Sequence, residues 1–139
     1  HHSDHVAAVK KLSAHFDCPV SLHYEDMDYY RDAVDLPLED GMVFDLDGEK
    51  ITVIHTPGHT AGGACFYSEK SKLVFTGDTI FDTDLGRTDL PGGSEKALNA
   101  TCRDIINGWS NEIFIYPGHG PSCNMKKVRK FNQELMSRI

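Results

Sequence analysis

Three short apolar runs of this chain are followed by the same signal, a glycine and then a single histidine or aspartate. The runs and the polar residues after them are 51–54 with His59, 73–75 with Asp78, and 113–116 with His119. Each run is rich in β-branched or aromatic residues, which predicts a β-strand. Functional side chains gather where strands leave a sheet, so we expect these three residues to meet along one edge. Two imidazoles and a carboxylate in one place indicate a metal site.

The turn before His59 is the clearest of the three. Pro57 has a fixed φ angle and Gly58 tolerates φ angles that other residues avoid, so the pair predicts a sharp corner directly before the histidine. A single histidine on a turn is more often a solvated residue than a ligand, and only the recurrence of the signal favours the metal interpretation. His55 is interpreted as shaping the turn or supporting a ligand from behind.

Length and charge limit the classes of protein that this chain can represent. A chain of 139 residues without repeats or low-complexity segments predicts a single domain over 1–139. The formal charge of −7 argues against nucleic acid or an anionic membrane as the main partner, but leaves a small anionic substrate open. No apolar run is long enough to cross a bilayer and no signal-peptide pattern is found, so we expect a cytoplasmic location. Oligomerisation stays open.

The cysteines are widely spaced and contain no Cys-x-x-Cys pair; they are Cys18, Cys65, Cys102 and Cys123. A zinc site built from cysteine is therefore not expected. In a chain of this size without an export signal, we interpret them as buried or surface thiols of a cytoplasmic protein rather than as two disulfides.

The segment before the first helix carries a second group of candidate ligands. In His2-Ser3-Asp4-His5, a tight turn into a helix can direct two imidazoles and a carboxylate toward one cavity. The alternative is a polar start or the remnant of a purification tag, and the loop residues downstream favour ligands. We expect a helix over 6–16 that is capped by Ser3 or Asp4. Its helical spacing predicts one shared apolar face, formed by Val9, Leu12 and Phe16.

The remaining elements follow from periodicity and turn signals. We predict strands over 18–22, 42–46, 49–54, 64–67, 72–75 and 112–116, and helices over 25–32, 94–107 and 125–139. Residues 36–38 are predicted to form a connector, and Asp47-Gly48 a hairpin turn. The last helix has a core face consisting of Val128, Phe131, Leu135 and Ile139. His23 and the acidic residues Asp26 and Asp28 are interpreted as a solvated face, with metal ligation as the alternative. This order of elements predicts an α/β or α+β fold.

Six residues are candidate metal ligands: His2, Asp4, His5, His59, Asp78 and His119. Six nitrogen and oxygen donors exceed the needs of one tetrahedral zinc and suit two ions that share Asp78. Two ions about 3.5–4 Å apart would hold a bridging hydroxide and polarise a substrate carbonyl. Asp4 or Asp78 would orient that hydroxide and take its proton, and no Gly-x-Ser-x-Gly elbow or phosphate-binding loop offers another chemistry. We expect two divalent ions, zinc before iron or manganese.

Four segments resemble, in chain order, the metal-binding motifs of metallo-β-lactamase-fold hydrolases: 2–5, 55–60, 77–81 and 116–120. The segment 86–93, which begins Gly86-Arg87-Thr88-Asp89, is similar to the glyoxalase II-like branch. The resemblance covers essentially the whole chain and implies an αββα sandwich with the metals at one edge of two stacked sheets. It also implies how the ligands divide: one ion on His2 and His59, the other on Asp4, His5 and His119, with Asp78 as the bridge.

The first motif departs from the family pattern, which reads His-x-His-x-Asp-His. His2, Asp4 and His5 fill its last three named places, and His1 falls on the first variable position, so the first histidine would precede residue one. The strands that precede this motif in the family are also absent from the sequence. We hypothesise that the chain is the C-terminal part of a longer domain. The alternative is that another chain supplies the N-terminal strands.

The resemblance implies a metal-dependent hydrolase acting on a thioester such as S-lactoylglutathione, or on a related small ester. The helical region with which such relatives grip glutathione is absent from this sequence. Arg87 is assigned to a substrate carboxylate, with a surface salt bridge as the alternative. Two other functions stay open, a mononuclear iron persulfide dioxygenase of the same fold and a non-catalytic binding domain. A β-lactamase is disfavoured by segment 86–93 and by the lack of an export signal.

Overall fold

The computed structural model describes residues 1–139 as five α-helices and eight β-strands. The helices are α1 (Ser3–Val6), α2 (Val9–Phe16), α3 (Glu95–Asp104), α4 (Met125–Phe131) and α5 (Gln133–Met136). The strands are β1 (Ser21–His23), β2 (Leu36–Leu38), β3 (Val43–Leu46), β4 (Glu49–His55), β5 (Ala64–Ser68), β6 (Leu73–Gly77), β7 (Phe114–Pro117) and β8 (Cys123–Asn124). Two 3₁₀ helices complete the secondary structure, Tyr24–Tyr29 and Ile106–Gly108.

Strands β3 to β8 form one six-stranded sheet in chain order. Neighbouring strands are antiparallel except β6 and β7, which are parallel and are connected through α3. Because β5 is antiparallel to both of its neighbours, β4 points in the same direction as β6 and β7. All three strands therefore end at one edge of the sheet, which is where the loops to His59, Asp78 and His119 begin. The predicted convergence of these loops follows from this topology.

One face of the sheet packs against the C-terminal helices. A cluster of 13 buried residues joins Val74 and Ile115 of the sheet to Leu98 of α3, Val128 of α4 and Leu135 of α5. Side chains alternate between the two faces of a strand, so the neighbours of Val74 and Ile115 point the other way. This packing holds β6 and β7 rigidly beneath the loops that follow them.

The other face of β6 and β7 carries exposed aromatic side chains. They are Phe75, Phe114 and Tyr116, between 38% and 47% exposed. Near β4 this face is covered instead, because Val53 and Leu38 are both buried there. Leu38 lies in β2, which pairs with β1 in a separate two-stranded parallel sheet.

The N-terminal helix differs from its prediction in three respects. It is divided into α1 and α2, with the break at residues 7–8. The N-cap of α1 is His2, and its side chain makes no capping hydrogen bond, so the prediction of Ser3 or Asp4 as the cap is wrong. The apolar face exists as a pattern, but α2 buries no residue: Leu12 is 51% exposed and Phe16 is 67% exposed. Helical spacing reports which residues share a face, and what covers that face depends on the rest of the molecule.

Three further predictions need correction. Residues 36–38 form strand β2 rather than a connector, because they pair in parallel with residues 21–23 of β1, which lie too far away in the chain for a local pattern to report. His23 and Asp26 are buried, so the interpretation of a solvated face is wrong for these two residues, whereas Asp28 is exposed as predicted. The last helix is divided at Asn132, which caps α5 by accepting from the Leu135 N–H, and Phe131 is exposed rather than in the core.

Other features agree with the sequence. The hairpin between β3 and β4 turns at Asp47 and Gly48, which both have positive φ angles of 53° and 87°. All four cysteines are free thiols, as expected, and three of them are buried. Burial raises the pKa of Cys65 to about 11. None of the helices has both the length and the apolar character that crossing a bilayer requires.

Candidate metal centre

The side chain of Asp78 lies at the centre of a group of histidines. Its Oδ2 atom is 3.1 Å from Nε2 of His5, 3.7 Å from Nε2 of His59 and 3.5 Å from Nε2 of His119. Three elements deliver these imidazoles: α1, the loop after β4 and the loop after β7. One carboxylate oxygen thus faces imidazoles from three separate parts of the chain.

His2 and His59, the first pair of predicted ligands, lie side by side. Nε2 of His59 lies 3.1 Å from Nδ1 of His2, and the two rings meet edge to face at 78°. Ligand atoms on a tetrahedral zinc are about 3.3 Å apart when the Zn–N distance is 2.0–2.1 Å. The separation of these two nitrogens is therefore close to that of two ligands on one ion.

Asp4, His5 and His119 form the second group. Oδ2 of Asp4 is 3.1 Å from Nε2 of His119 and 3.6 Å from Nε2 of His5. The ligand atoms of the three residues all lie within 4.8 Å of one another. Asp78 Oδ2 lies within 3.7 Å of a histidine from each group.

The protonation of the site favours cation binding. The pKa of His2 is lowered, first by burial and then by the nearby charge of His59, so its ring nitrogen stays available as a ligand. The pKa of Asp4 is lowered as well. Desolvation opposes that shift, but a backbone hydrogen bond and the neighbouring His5 and His119 outweigh it. A neutral imidazole and an ionised carboxylate are the forms that bind a divalent ion.

The residues present fit a divalent ion on structural grounds. Oδ1 of Asp78 is buried and has no hydrogen-bond partner. A buried carboxylate oxygen without a donor is costly, and it points to a positive charge that completes its environment. Gly118 makes room for this arrangement, because a Cβ atom there would lie 2.4 Å from Asp78 Oδ1 and 2.7 Å from His5 Cε1.

The His59 loop is shaped by its glycine and by two hydrogen bonds. Gly58 has a φ angle of +148°, and a Cβ there would lie 2.5 Å from Leu98 Cβ, so the turn packs directly against α3. Thr101 of α3 donates to the Pro57 carbonyl at 2.8 Å. The Nδ1–H of His59 donates to the Arg87 carbonyl at 2.7 Å.

Arg87 lines a cavity that is shared with five of the predicted metal ligands. The cavity has a volume of about 450 Å³ and is lined by the six charged or imidazole residues His2, Asp4, His59, Asp78, Arg87 and His119, together with Ser3, Phe81, Gly86 and Leu90. His5 lies behind them, in contact with Asp78. The guanidinium of Arg87 is engaged by Asp89 through two bonds of 2.7 Å each. Only its remaining amino group is free to meet a substrate.

Asp26 is a supporting residue that the sequence interpretation missed. It accepts hydrogen bonds from the Thr60 hydroxyl and from the Gly62 N–H, both at 2.7 Å. A Cβ atom at Gly62 would lie 2.8 Å from Asp26 Cγ, so the loop rests directly on this carboxylate. The loop after His59 consists of small residues, so its backbone N–H groups need an acceptor from elsewhere in the chain. That need was the sequence signal for a buried carboxylate.

His23, Glu25 and His55 form another group with ligand atoms within 4.8 Å of one another. The rings of His23 and His55 are stacked, with centroids 4.1 Å apart and planes inclined by only 12°. An ion must lie in the plane of each imidazole that binds it, and two nearly parallel planes at this separation share no such position. The group is therefore a stacked pair that supports the end of β4. The Nε2–H of His55 donates to the Ala61 carbonyl at 2.9 Å.

Comparison with known proteins covers most of the chain. Residues 1–122 match the family described as the metallo-beta-lactamase superfamily. An uncharacterised protein of Mycobacterium leprae is 32% identical, over 94% of this chain and 71% of its own length. The hydroxyacylglutathione hydrolase GloC of Haemophilus influenzae is 28% identical, over 99% of this chain and 73% of its own length.

Solved structures give the same result for the fold. The crystal structure of BLEG-1 B3 metallo-beta-lactamase superposes with a TM-score of 0.89 and 28% identity, over 96% of this chain and 73% of that one. The crystal structure of TTHA1623 in a di-iron-bound form superposes with a TM-score of 0.82 and 35% identity, over 94% of this chain and 72% of that one. The fold class expected from the sequence is thereby confirmed.

Proposed function

This chain belongs to the metallo-β-lactamase superfamily, and we propose from that premise that it is a metal-dependent hydrolase of thioesters or small esters, of the hydroxyacylglutathione hydrolase type. One observation carries the proposal. Oδ2 of Asp78 faces the Nε2 atoms of three histidines at 3.1–3.7 Å while its Oδ1 is buried without a donor. A carboxylate in this position is suited to join two cations rather than to make a salt bridge with one histidine.

We assign the ligands in two groups around this carboxylate. His2 and His59 would hold one ion, and Asp4, His5 and His119 would hold the other, with Asp78 shared. Bound there, divalent ions lower the pKa of water toward 7 and polarise a carbonyl oxygen. Zinc is our first assignment because imidazole and carboxylate ligands suit it, and iron is the main alternative because TTHA1623, at 35% identity, has a di-iron form.

Asp4 and Asp78 are the proposed catalytic residues. The Asp4 carboxylate is more than half exposed, so it can reach a water molecule in the cavity and accept its proton. Asp78 is largely enclosed, and the histidines around it fix its orientation. Asp4 would thus exchange the proton. Asp78 would keep its position between the histidines and orient the attacking water.

The cavity supports a small acyl substrate. Phe81 and Leu90 give it apolar walls, and Arg87 places a positive charge at its rim. The relative GloC is named a hydroxyacylglutathione hydrolase, and its match extends over nearly the whole of this chain. These features together favour a thioester whose acyl part is small and whose leaving group is anionic.

The test begins with metal analysis of the purified full-length protein, followed by a hydrolysis screen. The screen contains S-lactoylglutathione, a simple aryl ester, a β-lactam and, in an oxygen electrode, glutathione persulfide. We expect about two divalent ions per chain and hydrolysis of the thioester that chelation abolishes and zinc or iron restores. A protein that binds no metal, or that consumes oxygen with the persulfide while leaving every thioester intact, would overturn the proposal.

A further inference from the structure

Two threonine hydroxyls meet beneath the candidate metal centre. Oγ1 of Thr56 lies 3.1 Å from Oγ1 of Thr79, and the two residues are 0% and 3% exposed. Thr56 follows β4 and precedes His59 by three residues. Thr79 directly follows Asp78. The pair therefore joins the roots of the two loops that carry the central ligands.

The two hydroxyls belong to a small buried group in which every donor has a partner. Thr56 Oγ1 also lies 3.3 Å from Cys65 Sγ, and the Cys65 thiol donates to the Thr76 carbonyl at 3.8 Å. The thiol stays protonated, because burial raises its pKa to about 11. Both threonine hydroxyls lie within hydrogen-bond range of the Cys65 thiol, so either threonine can donate to the other while the second donates to sulfur. The Cys65 thiol donates to the Thr76 carbonyl, and every donor of this buried group has a partner.

No backbone hydrogen bond connects residues 56–63 with residues 77–80. Strand β5 lies between β4 and β6 in the sheet, so the two loops leave strands that are not neighbours. Apart from the ligand contact of His59 with Asp78, the hydroxyl pair is the direct polar connection between them. The sheet sets the spacing of β4 and β6 through β5, and the hydroxyl pair adds a direct side-chain connection between the two loop roots.

We propose that Thr56 and Thr79 are positioning residues, whose hydroxyl pair sets the spacing of His59 and Asp78 and so determines how tightly both ions are held. This inference rests on the proposed function only for the presence of the ions and does not depend on the substrate. Groups behind metal ligands typically contribute 10- to 100-fold to metal affinity. A pair that only stabilised the fold would change the melting temperature without changing the spacing of the ligands.

Valine replaces threonine with nearly the same shape and without the hydroxyl, so the test uses Thr56→Val, Thr79→Val and the double variant. Zinc dissociation constants are measured by competition with a chelator. We expect each single variant to weaken zinc binding about 10-fold, and the double variant to lose no more than about 3-fold beyond either single one. We also expect kcat to fall while KM stays within about 2-fold, because substrate contacts are unchanged.

Thr101→Val is the matched control. Its hydroxyl is buried and bonds the Pro57 carbonyl, so it supports the same His59 loop without contacting Asp78 or Thr79. Effects of Thr101→Val and Thr79→Val on zinc affinity should therefore multiply. Thr56→Ser and Thr79→Ser keep the hydroxyl and should stay within about 3-fold of the wild type.

Several results would overturn the inference. The first is an unchanged zinc affinity in the valine variants. The second is a double variant whose loss of zinc affinity equals the product of the two single losses. The third is a loss of zinc affinity in the serine variants as large as that in the valine variants. If a valine variant does not fold, alanine and serine at the same position make the comparison, with loss expected for alanine alone. A wild-type protein that binds zinc but hydrolyses no thioester would contradict the proposed function and leave this test intact.

Discussion

The Nδ1–H of His59 donates a hydrogen bond to the main-chain carbonyl oxygen of Arg87 at 2.7 Å. A carbonyl oxygen can only accept, so this bond fixes the tautomer of His59 and leaves Nε2 facing His2 and Asp78. Metal-binding histidines commonly use their second nitrogen in this way. The main chain of Arg87 therefore supports the candidate metal centre, while its side chain extends to the cavity and to Asp89.

Replacing Arg87 by alanine separates these two roles. The carbonyl that holds His59 remains in Arg87→Ala, so we expect metal content and zinc affinity to stay within about 3-fold of the wild type. The charge at the cavity rim is lost, and KM for an anionic thioester should rise about 10-fold, as expected for one charge-assisted hydrogen bond. Steady-state kinetics and metal analysis of the same preparation give both quantities.

Asp89→Asn is the control for this variant. It removes the negative charge and one of the two acceptors that engage the guanidinium, so Arg87 is held less tightly. If Arg87 contacts the substrate, Asp89→Asn should leave KM unchanged or lower it. Unchanged kinetics in Arg87→Ala would remove Arg87 from the substrate site and leave the surface salt bridge as its role.

Asp78→Asn should weaken metal binding without lowering the stability of the metal-free protein. The variant loses the charge that would join two ions, so zinc affinity and kcat should each fall at least about 100-fold. It also replaces a buried charged oxygen that has no donor by a neutral amide atom, which costs less to bury, so the melting temperature of the metal-free protein should stay equal or rise by about 2–5 °C. Calorimetry in chelator and zinc competition measure the two effects.

Asp82→Asn provides the matched control, because the Asp82 side chain is 16% exposed and that of Asp78 is 13% exposed. Asp82 has a partner, Lys127, at 3.2 Å. We expect this control to lower the melting temperature slightly and to preserve zinc affinity. A drop in metal-free stability for Asp78→Asn equal to that of the control would contradict the interpretation of Asp78.

Gly118→Ala should damage the centre without adding or removing any polar group. The new Cβ would lie 2.4 Å from Asp78 Oδ1 and 2.7 Å from His5 Cε1, so both ligands must move. We expect zinc affinity to fall at least about 30-fold. Gly108→Ala is the control, since a Cβ atom there meets nothing within 4 Å, and it should leave stability within about 0.5 kcal/mol. Equal zinc affinity in the two variants would show that residues 117–119 adjust freely.

Lowering the pH should reduce the free energy of unfolding of the metal-free protein, partly through His23. Burial, and then the charge of His55, lower the pKa of His23 below its usual 6.5, although Glu25, Asp26 and Asp40 oppose the shift. Between the lowered pKa and 6.5, the unfolded chain binds more protons than the folded one. This contribution to stability is therefore fully present above pH 6.5 and declines as the pH falls below it.

Urea unfolding in chelator at pH 7.5 and pH 5.5 measures that decline. His23→Gln removes the titrating group, so the variant should lose less stability between the two pH values than the wild type does. Equal losses in both proteins would mean that His23 does not contribute, and that other groups carry the acid sensitivity.

The ligand types of the site were predictable because they follow local signals. Strand-like runs before His59, Asp78 and His119 could be recognised from β-branched residues and turn-forming glycines, and the structure places the three side chains at one edge of the sheet. Their assignment to two ions stays a prediction. Helices near the C-terminus were also predictable, although Asn132 divides the last one.

The failed predictions share a physical cause. Asp26 looked solvated among acidic neighbours, but it is buried because a loop more than 30 residues later needs an acceptor for its Thr60 hydroxyl and Gly62 N–H. Leu12 and Phe16 formed a recognisable face that nothing in the structure covers. Local patterns carry no information about which distant segment supplies a partner.

The sequence by itself determined which residues bear the chemistry: the order of histidines and aspartates, the strands that precede them and the glycines that turn the chain. Only the tertiary structure decided how these residues meet. It placed one oxygen of Asp78 among three imidazoles, fixed the tautomer of His59 through the Arg87 carbonyl and joined Thr56 to Thr79 across an intervening strand. The reason is that hydrogen bonds and ligand contacts act over about 3 Å, whatever the separation along the chain, whereas sequence periodicity reports only on near neighbours.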